Sequence, residues 1–238
     1  MSQNHLSRLA APKSWPIKRK GIKWIARPRT GPHSLDNCIT INVILKNILK
    51  HANTTREVKN ILHDSKVLVN NTPIMDHKFA VGIMDIVSIP TIDQYYLVLL
   101  NKKNKFILRK INQKESLLKL MKIVNKTPLE NKKIQINFYD GRNKIVDKDG
   151  YKVGDTLVMD LQKNEVKYHL KLEKSASIYL AGGKHVGIIG TLDQIKSSKD
   201  NTPNKIILKH EDKTIETLKK YAFVVNDLIK ENERNERN

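Results

Sequence analysis

"YLAGGKHVGIIGTL", residues Tyr179 to Leu192, carries four glycines within nine positions, with a lysine among them. Read as a phosphate-binding loop, it would make this an α/β protein, because such loops join a strand to a helix. Counting excludes that reading. A P-loop has a Gly five residues before its Gly-Lys pair and a Ser or Thr after it. Here Gly183-Lys184 is followed by His185, and Ile178 stands where that first Gly belongs. A dinucleotide loop needs G-x-G-x-x-G at the start of a helix. Gly187 and Gly190 have the last spacing, but His185 lies two residues before Gly187. The downstream "TLDQIKSSKDNTPNK" has no long amphipathic helical pattern. Apolar residues alternate on both sides, with Ile178 and Leu180 before the loop and Ile188 and Leu192 after it. Two strands joined by a loop explain this pattern. Gly182, Gly183, Gly187 and Gly190 then supply positive φ or tight bends, as in the closing of a small barrel.

Strand signals extend outward from this point. "SIYLAGG", "GIIGTLDQI", "NKIILKH" and "YAFVVND" alternate on the C-terminal side, and the tail "KENERNERN" reads as charged and disordered. Upstream, "QYYLVLL", "KFILRKI", "GDTLVMDL" and "VKYHLKL" predict strands. "KIQINFYDGRNKIV" predicts a hairpin turning at Asp140-Gly141. "KESLLKLMKIVNK" reads as a short helix. "DKDG", Asp147 to Gly150, resembles the start of a calcium loop, but Lys152 and Val158 stand where Gly and Glu are required. It reads instead as a hairpin turn.

Residues 35–90 carry the helical signals. Ile41, Ile44, Leu45, Ile48, Leu49 and Ala52 form one apolar stripe. Thr54 and Glu57 have capping-box spacing before a second helix. That helix buries Val58, Ile61 and Leu62 and leaves Arg56 and Lys59 outside. "KVLVNNTPI" and "GIMDIVSIP" follow as strands, the first turning at Asn70-Asn71 and the second ended by Pro90.

The charge is large and uneven. The chain has 238 residues, 5% aromatics and a formal net charge of +20. A surface this basic attracts polyanions, and nucleic acid is the usual one. Residues 1–35 carry Arg8, Lys13, Lys18, Arg19, Lys20, Lys23, Arg27 and Arg29 with no Asp or Glu. Residues 91–174 form a second basic zone of net +9, densest from Lys102 to Lys133. Pro12, Pro16, Pro28 and Pro32 prevent a long helix in the first zone. It reads as an extended arm whose basic side chains lie along phosphates. Trp15 and Trp24, the only tryptophans, offer flat surfaces to nucleotides or proteins. Such an arm is expected to order only on its partner.

Other chemistries find little support. Cys38 is the only cysteine, so an internal disulfide is impossible, and it reads as a small core residue. The eight histidines match no metal spacing, and His5, His33 and His185 read as surface residues in basic loops. No nucleophile motif is present. No cofactor, metal, small-molecule substrate or catalytic role is expected. "YYLVLL" and similar runs are far too short to span a bilayer, and there is no signal-peptide pattern. The expected setting is the cytoplasm, without a membrane partner.

Taken together, "HLSRLAAPKSWPIKRK", "RPRTGPHSL", "TTREVKNIL…KVLVNN…VGIMDIVSIP", "GGKHVGIIG" and "YAFVV" resemble, in order, the archaeal and eukaryotic small-subunit ribosomal protein four family. The arm looks archaeal. The resemblance implies a structural constituent of the small ribosomal subunit acting in translation. Its partners would be small-subunit rRNA and neighbouring ribosomal proteins. The implied fold class is α+β and multidomain. Residues 1–34 would be the basic arm, and 35–90 a small helix-rich RNA-binding domain with Arg56 and Lys59 on phosphates. Residues 91–174 would be a central β-rich domain, and 175–227 an SH3-like barrel with a KOW motif, followed by a charged tail at 228–238. Lys184 and His185 would meet rRNA or protein at the tip of the KOW loop. Two departures stand out. Ser34 precedes Leu35-Asp36 where the family's RNA-binding domains often carry a basic residue, and Asn70-Asn71 replaces the common Asn-Gly turn. The rival readings are a KOW-bearing transcription or translation factor that binds RNA transiently, and an accessory domain of an RNA-modifying enzyme. Nothing after Pro90 reads as the catalytic domain that the latter would need.

Overall fold

The computed structural model describes residues 4–64, 66–147, 149–196, 203–211 and 213–225; the charged tail lies outside them. The chain is mostly β with few helices, and it divides into two compact units, Met1–Lys119 and Leu120–Asn238.

In the first unit the arm is folded. Strands β1 (Leu6–Ser7) and β2 (Trp24–Ile25) pair antiparallel. Trp15 is fully buried, and its indole N–H donates to the Cys38 carbonyl at 2.7 Å. The Phe106 N–H donates to the Ser14 carbonyl at 2.9 Å. In this structure the arm therefore packs on the rest of the first unit through Trp15 and Ser14. One buried indole supplies the apolar area that composition alone made seem absent.

Strand β3 (Cys38–Thr40) leads into helix α1 (Ile41–Val43), which continues as a π-helical turn over Ile44–Ile48. Ile41, Ile44, Leu45 and Ala52 of the predicted stripe are buried. Lys50 ends the segment in a left-handed conformation, at φ 58°. Helix α2 (Thr55–His63) starts with the predicted capping box. The Thr54 side chain accepts from the Glu57 N–H, and the Glu57 carboxylate accepts from the Thr54 N–H. Val58 and Leu62 face the core.

Strands β4 (Leu68–Val69) and β5 (Thr72–Pro73) are joined by Asn70 and Asn71, both at positive φ. Asparagine tolerates this region, so the turn survives without glycine. Strand β6 (Ala80–Gly82) pairs with β3. Strands β7 (Ile86–Ile89), β8 (Gln94–Leu100) and β9 (Phe106–Lys110) complete a five-stranded sheet in the order β5-β4-β7-β8-β9. Pairing of β7 with β8 carries this sheet across Pro90.

The second unit is built on two five-stranded sheets. One has the order β12-β11-β10-β13-β14, from β10 (Leu118–Pro128), β11 (Ile134–Phe138), β12 (Asn143–Val146), β13 (Thr156–Asp160) and β14 (Val166–Leu170). Strand β10 replaces the helix expected from "KESLLKLMKIVNK". Its apolar residues satisfy a helical period, but the sheet takes the segment between β11 and β13. The Asp140-Gly141 turn joins β11 to β12 as predicted, with Gly141 at φ 77°. The "DKDG" stretch is not a hairpin turn, because β12 lies at the sheet edge and β13 beside β10. Met121, Ile123, Ile136, Phe138, Leu157 and Met159 form the core of this sheet.

The other sheet runs β18-β17-β16-β15-β19, from β15 (Ser177–Leu180), β16 (Ile189–Lys196), β17 (Lys205–His210), β18 (Lys213–Leu218) and β19 (Ala222–Val224). Strand β18, "KTIETL", had no counterpart in the sequence reading. Ile178, Leu180, Leu192, Ile206, Leu208 and Val224 form its core. The glycine-rich stretch is the β15–β16 connection, and its flanking strands pair antiparallel. Gly183 and Gly187 take positive φ, at 84° and 78°. A Cβ on Gly190 would lie 2.8 Å from the Lys209 carbonyl oxygen. The glycines thus serve a hairpin and not a phosphate site.

Candidate nucleic-acid interface

The sequence-predicted cations take different roles. Arg19 is half-buried, and its guanidinium donates to the carbonyls of Arg8, Ala11 and Pro12 at 2.9, 2.6 and 2.8 Å. It holds the arm's turn together, and those carbonyls compete with any phosphate for its donors. Arg8 is half-buried and donates to the Lys18 carbonyl at 3.0 Å. Arg27 is half-buried. Lys13, Lys18, Lys20 and Lys23 are exposed.

Arg29 joins a second group. Its guanidinium pairs with Asp76 at 3.0 Å, and its N–H donates to the Lys78 carbonyl at 3.0 Å. On α2, Arg56 and Lys59 are exposed on the side away from Val58 and Leu62. Glu57 between them has its carboxylate committed to the N–H groups of Asn53 and Thr54, which hold its pKa below the usual value. His77 lies where these elements meet. Its pKa is lowered first by burial and then by the Lys59 charge, with Lys78 and Arg29 adding to the effect against Asp76. The fold therefore brings Arg29 from the arm and Lys59 from α2 around one histidine whose charged form burial and these cations disfavour. Lys78 belongs to the same group. The sequence reading missed it, since "DHKF" has no periodicity or motif to single it out.

Lys184 is exposed and His185 half-buried in the β15–β16 loop of the second unit. Each unit holds its own cations.

One histidine moves from the surface list to the interior. His33 is buried, with Nε2 at 2.9 Å from Asp85 Oδ2. Asp85 also accepts from Lys119 Nζ at 2.8 Å, Asn70 Nδ2 at 2.9 Å and the Gly82 N–H at 2.8 Å. A Cβ on Gly82 would fall 2.4 Å from the His33 ring, so the ring packs where only glycine leaves room. Burial by itself would raise the Asp85 pKa; Lys119 and His33 outweigh it and hold the carboxyl well below the usual range.

Two lysines of the second basic zone are likewise unavailable to a ligand. Lys119 is committed to Asp85. Lys122 is buried in the second unit, where Nζ lies 2.7 Å from the Lys220 carbonyl and 3.3 Å from that of Lys219. Burial first, then the Lys219 charge, pushes its pKa down to about 7. The folded state therefore binds this proton less tightly than the unfolded chain does. The penalty is full below pH 7 and fades as pH rises toward the ordinary lysine value. The stability of the second unit is expected to rise between pH 7 and 9, by up to about 1.4 kcal/mol per pH unit from this group. Lys122→Met should flatten that rise in urea titrations followed by circular dichroism. An identical slope in the variant would show that Lys122 is not the titrating group.

Comparison with known proteins follows the same lines. The family model described as Ribosomal family S4e matches residues 92–166, and that of the RS4NT (NUC023) domain matches residues 2–36. The small ribosomal subunit protein eS4 of Methanosphaera stadtmanae is 39% identical over 94% of this chain and 92% of its own length. That of Archaeoglobus fulgidus is 36% identical over 94% of each. Among solved structures, the 30S ribosomal protein S4e from Thermoplasma acidophilum superposes with a TM-score of 0.70 at 27% identity. The match covers 80% of this chain and 96% of that one.

Proposed function

The chain belongs to the ribosomal family S4e, and on that footing we propose that it is a structural constituent of the small ribosomal subunit, bound to its rRNA and acting in translation in the cytoplasm. The observation that carries this reading is the likeness to chains named small ribosomal subunit protein eS4 over 94% of its length. The net charge of +20 fits a polyanionic partner. Its role is architectural and not catalytic, and its other partners are neighbouring small-subunit proteins.

Within that role, residues 1–34 form the basic arm and 35–90 the RNA-binding domain built around α1 and α2. Residues 91–174 form the central β-rich domain and 175–227 an SH3-like KOW domain. The β15–β19 sheet and its glycine hairpin support the last assignment. The RNA-facing residues are Lys13, Lys18, Lys20, Lys23, Arg27, Arg29, Arg56 and Lys59, joined by Lys78. Lys184 and His185 meet rRNA or a neighbouring protein. Arg8 and Arg19 act chiefly by shaping the arm. Sedimentation tests the proposal at its root: the protein should stay with small subunits at moderate salt and crosslink to rRNA. Release at that salt would favour a transient factor.

The α2 face has its own test. Arg56→Ala combined with Lys59→Ala should weaken RNA binding while leaving thermal melting unchanged, because both side chains lie off the apolar face. Losing two phosphate contacts should reduce the slope of log affinity against log salt by roughly 0.7–0.9 per contact, the range between single strands and duplex DNA. An unchanged slope would remove this face from the RNA surface.

A further inference from the structure

The two tryptophans have opposite fates. Trp15 is fully buried, while Trp24 is 50% exposed. The β1–β2 register explains the second. Leu6 pairs with Ile25 and Ser7 with Trp24. Facing residues on paired strands share a side, and successive residues alternate. Leu6 is buried on the inward side, so Ser7 and Trp24 lie on the outward one. The ladder is held by the Arg8 N–H donating to the Lys23 carbonyl at 3.0 Å. Among the described residues the Trp24 indole N–H meets no protein acceptor.

The surroundings of Trp24 are specific. The His5 ring lies 5.4 Å from it, tilted by 54°. Lys23 Nζ sits 5.0 Å from the ring centroid. Leu9 and Ile22, both in the same arm, are 77% and 70% exposed. No acidic residue occurs in the first 35 positions, and Lys18 and Lys20 are exposed nearby in sequence. An apolar plane within an acid-free cationic segment suits a ligand that is flat and apolar on one part and anionic on another. An unpaired nucleotide has both parts, whereas a base inside a duplex hides its face.

We propose that Trp24 is a base-stacking residue, whose exposed indole takes an unpaired base of RNA while Lys23, and with it Lys20, meets the adjoining phosphates. This rests on the RNA-binding reading above and adds to it a preference for single-stranded nucleotides at one named residue. The Lys23 ammonium already resting on the indole is a weakly held cation, as cation–π contacts at exposed sites are. It can leave the ring for a phosphate at little cost.

The test uses the full chain and its two tryptophans. Trp15 is sealed and serves as an internal reference. Intrinsic fluorescence and affinity would be followed with a 12-nucleotide uridine-rich RNA and with a 12-base-pair RNA duplex, for the wild type, Trp24→Leu and Trp24→Phe. Both substitutions fall on an exposed position, so melting should not change. The wild type should be quenched by the single strand and much less by the duplex. Trp24→Leu should lose the quenching and weaken single-strand binding about fivefold or more, with duplex binding changed less than twofold. Trp24→Phe should retain most of the single-strand affinity. Full single-strand binding by Trp24→Leu, or saturation of the wild type without quenching, would overturn stacking and leave the RNA-binding reading intact. If Trp24→Leu kept its RNA affinity but no longer joined small subunits, Trp24 would be a protein-docking residue and the proposal would fall. Absence of any RNA binding by the wild type would overturn both readings.

Discussion

Asp85→Ala is expected to cost the first unit about 3–5 kcal/mol, the range for removing one member of a buried ion pair. The carboxylate is 1% exposed and receives Lys119, His33, Asn70 and the Gly82 N–H. Removing it leaves the Lys119 ammonium, itself 2% exposed, without its anion. It also strands the Gly82 donor next to a ring that cannot move closer. Asp85→Asn should cost less, since the amide oxygen can still accept from Gly82, although the negative charge facing the Lys119 ammonium is lost. Urea denaturation followed by tryptophan fluorescence reads this unit selectively, because both tryptophans belong to it. A loss under about 1 kcal/mol for Asp85→Ala would mean that the network does not hold the native state together. The pH dependence has a definite sign. The folded carboxyl is held below its unfolded value, so its contribution is complete above roughly pH 4 and is lost as pH falls from there through the folded pKa. In Asp85→Asn, that portion of the acid destabilisation should vanish.

Trp15→Ala should be of similar size, about 3–5 kcal/mol for truncating a buried tryptophan. Two effects combine. The indole's buried area is lost, and the Cys38 carbonyl, on a strand buried at every residue, loses its donor at 2.7 Å. Trp15→Phe separates them, retaining most of the area while giving up the hydrogen bond, worth about 1 kcal/mol. This measurement also decides the state of the arm in the free chain. If the arm ordered only on its partner, Trp15→Ala would leave the stability of the isolated protein unchanged. The expected large loss would mean instead that the arm is a folded part of the first unit before any RNA arrives. In that case Trp24 and the lysines beside it are presented already positioned, and less entropy is lost on binding.

What the sequence determined by itself is local or additive. The Thr54–Glu57 cap, the Asn70-Asn71 turn, the Asp140-Gly141 turn and the strand-forming apolar run of residues 94–100 each depend on neighbours a few positions away. Ordered motifs spread along the chain pointed to the S4e family, and net charge is a sum that needs no fold. The exposed positions of Arg56 and Lys59 followed from helical periodicity alone. Tertiary structure decided everything that depended on a distant partner. The segment around Lys119 and Lys122 has helical spacing, yet sheet neighbours on both sides draw it into β10, and its two lysines are buried because an aspartate 34 residues away and two carbonyls receive them. His33 resembles any surface histidine until Asp85, 52 positions later, meets it over Gly82. The two tryptophans stand in equally basic sequence, and only the Cys38 carbonyl and the β1–β2 register send one inward and leave the other exposed. The reason is common to all three. Whether a polar or aromatic side chain is buried depends on whether a partner offsets its desolvation, and that partner is set by the fold and not by sequence neighbourhood.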